Sequence, residues 1–376
     1  MTDLVVVSLE VWDEVWRRNQ HLVSGLLRTG RVNRVLFVEP VVDVVHDLRH
    51  RRLPEPGGVL REVALDGISG RLWALRPRKV LPRRIDPQGD RRRARRVVKT
   101  ARRLGLRDPV LWVNDPGGVE VLLASGWSAL YDITDDWLLA DRREVELVRA
   151  RRQEGSLLSA CHEVVVCSPA LARSRSATRD VVLIPNAVDL AAYESRGPRP
   201  ADLPAGPVAL YLGTAHRDRV DVDLLIRASE AARSDNVGSV VLVGPAPLPS
   251  SDLAALRRAG VLVLGPRPSG DVPAYLQHAD VLMVPHVLTG FTSSLDPIKA
   301  YEYRAARRPV VATRVPGFEA ASDPLVRAVE PSDFASAVLA ALRSPVPWAH
   351  ARPADIPTWD ERVREMTAVL DRVAKG

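Results

Sequence analysis

Lys299 and Glu302 stand three residues apart in Asp296-Pro-Ile-Lys-Ala-Tyr-Glu-Tyr303, a stretch whose pattern predicts a helix over 297–304. Side chains at i and i+3 occupy neighbouring parts of one helix face. A lysine there can meet a phosphate and a glutamate can accept from ribose hydroxyls, so the pair suits a nucleoside diphosphate. It equally suits an ordinary intrahelical ion pair. Upstream, Thr292, Ser293 and Ser294 form a hydroxyl-rich loop. Such a loop feeding a helix N-terminus is a ready anion site, because the first amides lack intrahelical partners. Asp296 fits a cap and Pro297 a first helical position. The lysine also stands out by rarity: the chain has four, Lys79, Lys99, Lys299 and Lys375, among 53 basic residues.

Asp135 and Asp136 follow the apolar run Ala129–Ile133, so they project from the carboxyl end of a predicted strand, where open parallel sheets bind ligands. Either can act as the base for an acceptor hydroxyl or steady an oxocarbenium-like centre. Either can also cap a helix opening at Asp135-Asp-Trp137. Trp12 and Trp16, four apart and hence on one helical face, either stack on a sugar or pack into a core.

The elements that must carry these residues read as short β-branched runs alternating with helix-period segments. The runs are 4–7, 35–38, 72–75, 110–113, 129–133, 164–167 and 181–184, then 208–212, 239–243, 261–264, 281–284 and 310–312. They are continuous rather than alternating in polarity, as strands buried on both faces of a parallel sheet are. Helices are expected over 14–27, 91–104, 144–160, 222–232, 252–259, 297–304 and 331–342. Two such series predict an α/β chain of two doubly wound, Rossmann-like domains. A linker-like stretch runs from Tyr193 to Pro207, and a breaker-rich one, 344–357, precedes a last helix whose Thr358-x-x-Glu361 is a capping box.

Composition excludes several classes. The chain has 376 residues, 46% apolar, enough for two or three domains at roughly 150 residues each and too apolar for disorder. No apolar run approaches the ~20 residues of a membrane helix, and the opening residues do not read as a signal peptide, which predicts a cytoplasmic protein. Two cysteines, Cys161 and Cys167, exclude a disulfide framework, and their spacing around His162 fits no tetrahedral zinc pattern; both read as buried thiols. The net charge of +7 is weak evidence about partners, because arginine for lysine throughout is a mark of coding bias. Its distribution says more: from Arg71 to Arg107 there are fifteen basic residues and two acids. Within that stretch, 91–104 reads as an amphipathic helix with Ala94, Val97, Val98, Ala101 and Leu104 on one face. It is a solvated outer helix or a surface that docks peripherally on anionic membrane. No aromatic residue falls within 76–107, which argues against nucleic acid.

The segment from Leu282 to Thr313 resembles the donor-site signature of group 1 glycosyltransferases of the GT-B fold, in the variant P-x-K-x-x-E-Y followed by P-V-V-A-T. Ile184-Pro-Asn-Ala-Val-Asp189 is similar to the family's crossover between domains, and Leu210-Tyr-Leu-Gly213 to the first strand and glycine of its donor domain. Val241-Leu-Val-Gly244 and Tyr275-Leu-Gln-His-Ala-Asp280 resemble the next landmarks. Trp12-Asp-Glu-Val-Trp-Arg-Arg-Asn-Gln-His-Leu22 resembles the W-x-x-x-W-x-R-x-Q-H-L opening of one branch, and Tyr131 to Asp136 its Y-D-x-x-D-D stretch. Two positions depart: Ala187 and Arg307 stand where the family has glycine, which questions the tightness of those turns.

The resemblance implies two Rossmann-like domains facing an interdomain cleft, with the C-terminal helix crossing back to the N-terminal domain. It divides the chain into an acceptor domain at 1–188, a nucleotide-sugar domain at 189–350 and a returning segment at 351–376, hinged near 186–190 and 345–357. Glu302 would hold ribose, and Lys299 with the amides near Ser293 and Ser294 the diphosphate. Gly213 would allow close approach of the ligand, Arg217 or Arg219 would supply a second cation, and Arg267 would lie by the base. His21 would face the cleft as a catalytic group, with Trp12, Trp16 and Arg18 on the acceptor side. The implied activity is glycosyl transfer from a nucleoside diphosphate sugar to a saccharide, lipid-linked glycan or small natural product, retaining and with no metal or cofactor. Asp132, Asp135 and Asp136 imitate a metal-binding D-x-D, which belongs to the other glycosyltransferase architecture. The rivals are a catalytically silent subunit of the same fold and a sugar-nucleotide epimerase sharing the donor site.

Overall fold

The computed structural model describes residues 1–49, 57–319, 323–348 and 355–375. The chain forms two compact units: Met1–Leu138 with Arg142–Pro185 and Asp360–Gly376, and Asn186–Trp359 with the short excursion Leu139–Asp141. The expected boundary at 350/351 and part of the expected second hinge lie outside the described residues.

In the first unit, runs such as Leu4, Val5 and Val6 have both faces buried, which only a sheet covered on both sides provides. Its strands are β1 (Thr2–Val7), β2 (Val32–Val38), β3 (Val42–Asp43), β4 (Leu60–Glu62), β5 (Leu72–Leu75), β6 (Arg78–Lys79), β7 (Val110–Val113), β8 (Ala129–Ile133), β9 (Glu163–Val166) and β10 (Val182–Leu183). Eight of them form one sheet in the order β10-β9-β8-β7-β1-β2-β5-β4, parallel except for β4 against β5, while β3 and β6 pair separately. The helices are α1 (Arg18–Arg28), α2 (Val44–Arg49), α3 (Gly89–Arg103), α4 (Val119–Ser125), α5 (Glu144–Ala160) and α6 (Pro169–Ser176).

The second unit carries β11 (Val208–Leu212), β12 (Ser239–Val243), β13 (Leu262–Gly265), β14 (Val281–Val284), β15 (Val310–Thr313) and β16 (Val326–Val329). They form an all-parallel sheet in the order β13-β12-β11-β14-β15-β16. Alternate β11 residues serve opposite layers: Val208, Leu210 and Leu212 enter one core, Ala209 and Tyr211 the other. The helices are α7 (Val222–Ser234), α8 (Ser250–Arg258), α9 (Val272–His278), α10 (Ile298–Ala306) and α11 (Phe334–Arg343). Finally α12 (Trp359–Val373) starts straight after Thr358, where the capping box places it, and from Asp360 belongs to the first unit. There its Val363 fills the space beside Gly25 of α1, and Arg372 bonds Glu163 at 2.7 Å.

Several local expectations are corrected. The first helix begins at Arg18 rather than Glu14, so Trp12 and Trp16 lie in an irregular segment and share no helical face. Glu39 shapes that segment by accepting the Trp12 amide at 2.9 Å while paired with Arg61. No helix opens at Asp135; the chain stays irregular until Glu144. Strands β4 and β16 were not expected, because Leu60-Arg-Glu62 and Val326-Arg-Ala-Val329 are edge strands that carry polar residues.

Both departures at family glycines are accommodated. Ala187 is buried and is not among the residues with positive φ. Arg307 does take the left-handed conformation that ends α10, with φ 58°. That costs a non-glycine residue roughly 1–2 kcal/mol. The Arg307 guanidinium offsets the strain by donating to the Tyr193 carbonyl at 2.7 Å and stacking 4.0 Å from the Trp348 ring centroid.

Candidate functional site

In the second unit β12 and β13 extend the sheet on one side of β11, and the chain then returns to place β14 on the other. Such a reversal leaves a crevice at the carboxyl ends of the two strands. Gly213 follows β11 directly, and α10 brings Lys299 over it. The Lys299 ammonium donates to the Tyr211 hydroxyl at 2.9 Å and sits 4.1 Å from that ring's centroid, with His286 Nε2 3.5 Å away. A Cβ on Gly213 would come to 3.0 Å from the ammonium nitrogen, so the lysine occupies the space a side chain would need. Gly244, at the end of β12, is tighter: its φ is 130° and a Cβ would lie 2.3 Å from the Gly213 carbonyl oxygen. Backbone approach this close is open only to glycine.

Glu302, one turn further along α10, does not pair with Lys299. Among the described residues its carboxylate takes part in no hydrogen bond and no salt bridge. Burial pushes it up to about 7, opposed by the Lys299 charge. Burial, reinforced by Arg219, pushes Lys299 down to about 7, against the pull of Glu302. His286 is held well below the ordinary imidazole range by burial and then by Lys299 and Arg219, so it is neutral and offers a lone pair. Thr313 fixes it, accepting the His286 amide at 3.2 Å and donating to its carbonyl at 2.8 Å.

The expected donor residues separate into two groups. Arg219 acts electrostatically on Lys299, Tyr211 and His286, and its guanidinium lies 5.3 Å from the centroid of the Phe291 ring. Arg217 is instead exposed and bonded to Asp252 of α8 at 2.8 Å, so Arg219 is the cation of the two that reaches the crevice. Ser293 is exposed on the loop before α10, whereas Ser294 is buried and spends its hydroxyl on the Phe291 carbonyl at 2.7 Å. Arg267 binds the Tyr275 hydroxyl and the Leu264 and Pro266 carbonyls, each at 2.8 Å, and pairs with Asp202. That cluster engages four of its five N–H donors. Asp296 is no helix cap either. Pro297 holds the cap position, and the Asp296 carboxylate accepts from the Asn186 amide at 2.5 Å and from the Tyr301 hydroxyl at 2.7 Å. The crossover segment is thereby tied to the start of α10.

In the first unit the strand order reverses between β1 and β7. Asn114, just past β7, accepts from the Asn19 amide at 2.9 Å and donates to the Asp132 carbonyl at 3.0 Å. Asn19 also donates to Ser8 at 3.1 Å, so a buried polar network underlies this sheet edge. Asp135 stands beside it, half-buried, its carboxylate accepting from Thr134 at 3.3 Å. Asp136 is corrected as a catalytic candidate: it is buried and accepts both Arg175 Nη atoms at 2.8 Å, with Glu154 on the same guanidinium. Arg18 likewise turns inward, its Nε 3.2 Å from the fully buried Asp132, which Trp112 also bonds at 3.2 Å. His21 packs against Trp16 with ring centroids 5.1 Å apart, and burial and then Arg28 push it down to about 3. It is neutral at physiological pH and a poor base. Trp12 packs edge-on against Phe37 at 4.9 Å and is buried, which makes it core; Trp16 keeps partial exposure.

Sequence reading assigned no role to Tyr211, His286 or Asn114, and marked Gly244 only as a landmark. Tyr211 left one signal, a lone phenol in an otherwise aliphatic strand two residues before a glycine; a buried hydroxyl needs a partner. Cys161 and Cys167 are buried and form no disulfide with each other, and the Cys167 thiol donates to the Thr134 carbonyl at 3.1 Å. Among the described residues no group of three or more His, Cys, Asp or Glu is placed to hold a metal ion.

Two parallel α/β units of this kind, the last helix belonging to the first, define the GT-B fold. The chain is similar over its whole length to the structure of OtsA in its apo form, at 13% identity, TM-score 0.62 and 96% coverage of that chain. It is similar over 99% of its length to a trehalose-6-phosphate protein from E. coli bound with UDP-2-fluoro glucose, at 14% identity, TM-score 0.61 and 96% coverage. A third is HepE from Anabaena in complex with UDP, at 15% identity, TM-score 0.57, covering all of this chain and 98% of that one. Residues 206–344, which hold Gly213, Arg219, Lys299 and Glu302, match the family model of the group 1 glycosyl transferases. No curated protein sequence matches the chain.

Proposed function

We propose that this chain is a metal-independent glycosyltransferase that moves a glycosyl unit from a nucleoside diphosphate sugar to an acceptor hydroxyl of a saccharide, a lipid-linked glycan or a small natural product. The observation that carries the reading is that Lys299 and Glu302 share one helix face with no hydrogen bond or salt bridge between them among the described residues. An enclosed ammonium and a carboxylate without a protein donor, at a sheet switch point, are what a diphosphate and a ribose would complete. As the bond from the anomeric carbon to the diphosphate breaks, its electron pair passes to the phosphate oxygen. Lys299, Arg219 and the first amides of α10 would meet that charge from fixed positions. Asp135 is the remaining acidic candidate to take the acceptor's proton. Retention of configuration follows from the family resemblance.

Calorimetric titration with UDP, GDP, TDP and ADP, without added metal, tests this, with UDP first because two of the similar structures hold uridine nucleotides. One of the four should bind, and Lys299→Ala and Glu302→Ala should each weaken it by about 1.5–3 kcal/mol, the range for hydrogen bonds to charged groups. A folded protein that binds none of them refutes the proposal. Binding without turnover across a panel of nucleotide sugars and acceptors would instead make the chain a silent subunit.

Peripheral contact with anionic membrane belongs to the same proposal. Arg95, Lys99, Arg102 and Arg103 ring a shallow depression of about 490 Å³ between α3 and Ala124 of α4, and none of them pairs with a carboxylate among the described residues. In the chain segment before that helix Val80, Leu81 and Ile85 are exposed. Cations without carboxylate partners suit an anionic headgroup layer. Vesicles containing anionic lipid should retain the protein at low salt and release it at high salt; failure at low salt removes this part.

A further inference from the structure

We propose that Tyr211 is a positioning residue of the donor site: its hydroxyl, anchored on the Thr214 carbonyl, holds the Lys299 ammonium where the diphosphate arrives, so that the loop after Gly213 and the lysine on α10 act as one unit. This rests on the donor-site reading above and goes beyond it by assigning a role to a residue that would not itself touch the ligand.

Hydrogen counting fixes the direction of each bond. A phenol has one hydrogen to give and lone pairs to offer. Tyr211 gives its hydrogen to the Thr214 carbonyl at 3.1 Å, so it accepts from Lys299 at 2.9 Å. Burial pushes the phenol upward, which keeps that hydrogen in place at neutral pH. The ring adds a second hold, since the ammonium lies 4.1 Å from its centroid. A second ammonium hydrogen faces the neutral His286 at 3.5 Å, which leaves the third for a ligand oxygen. Gly213 keeps the approach clear of any side chain. The ionisable groups that face the ammonium are Tyr211 from β11, His286 after β14, Arg219 from the loop before α7 and Glu302 on α10 itself; Asp218 acts on Tyr211. Tyr211 joins the lysine to the glycine loop through hydrogen bonds on both sides.

A phenol that accepts from an ammonium stabilises its charged form, so its removal lowers the lysine's affinity for a proton. The test is calorimetric titration of whole wild-type, Lys299→Ala and Tyr211→Phe proteins with the best-binding member of UDP, GDP, TDP and ADP, from pH 6 to 8.5. The ligand's own ionisation is common to all three proteins and cancels in the comparison. Tyr211→Phe keeps the ring and should weaken binding at pH 7.5 about five- to tenfold. It should also move the midpoint of the pH dependence to lower pH, a shift that a merely structural loss would not produce. Lys299→Ala should weaken binding and leave only the pH dependence that Glu302 and the ligand contribute. If Tyr211→Phe matches wild type in affinity and midpoint while Lys299→Ala binds poorly, the role of Tyr211 is refuted and the donor site stands. If Lys299→Ala binds as wild type does, the donor site falls and this proposal with it. Should Tyr211→Phe not fold, a structure of the wild-type complex decides: an ammonium that contacts phosphate while still bonded to Tyr211 upholds the proposal, and one that has left the phenol overturns it.

Discussion

Lys299, half-buried, and Asp136, buried, show how differently two charges in the protein behave. Lys299 is enclosed with no carboxylate bonded to it and is pushed down to about 7, whereas Asp136 is locked by two bonds to Arg175. For the lysine the sign follows directly. Below pH 7 the empty site already holds an ammonium; above it the amine is neutral and must take up a proton to bind a diphosphate. The lysine's contribution to affinity for a nucleoside diphosphate sugar, whose phosphates do not titrate in this range, should therefore fall above pH 7 by up to about tenfold per pH unit, while Glu302, also near 7, ionises over the same range. Lys299→Arg should flatten the profile, because a guanidinium stays charged throughout; isothermal titration at four or five pH values would show it. For Asp136 the issue is stability. Asp136→Ala leaves the buried Arg175 with Glu154 and the Ser174 hydroxyl and should cost about 3–5 kcal/mol in urea unfolding. A loss of activity at unchanged stability would restore its catalytic candidacy.

At the level of elements, the donor crevice depends on two strand ends that touch through glycine. A methyl group at Gly244 would press on the Gly213 carbonyl at 2.3 Å, backbone against backbone, with φ at 130°. Neither contact can be relieved by turning a side chain. Gly244→Ala should destabilise the second unit by more than about 2 kcal/mol and displace the end of β11, so that nucleotide binding falls as well. Thermal unfolding with and without the nucleotide would show both effects, and a fully stable, fully binding variant would contradict the packing described here. The start of α10 is organised by the same logic. Its polar residues were legible as a cap, yet Asp296 serves the Asn186 amide instead, because the crossover segment presents an unsatisfied donor at that point.

Across the whole molecule, α12 completes the first unit from the far end of the chain. Its Val363, Met366, Val369, Leu370 and Val373 are all buried. At roughly 1.5–3 kcal/mol per side chain these five approach the entire stability of an ordinary domain, roughly 5–15 kcal/mol. A chain lacking 360–376 should lose the calorimetric transition of the first unit and keep that of the second, which alone should rise on adding the nucleotide. Survival of the first transition would show that α12 is dispensable. What the sequence by itself determined was the alternation of elements, the two-sided burial of the strands and the lysine–glutamate spacing. These are local properties: backbone geometry sets the period, and the period says which face is covered. Partner choice was left to the tertiary structure. Lys299 reaches Tyr211 across 88 residues, Arg18 reaches Asp132 across 114, and Arg175 takes Asp136 across 39. Whether a charged residue is a ligand or a core pair depends on which element covers it and what that element offers in place of water, and neither is written in the residue's own neighbourhood.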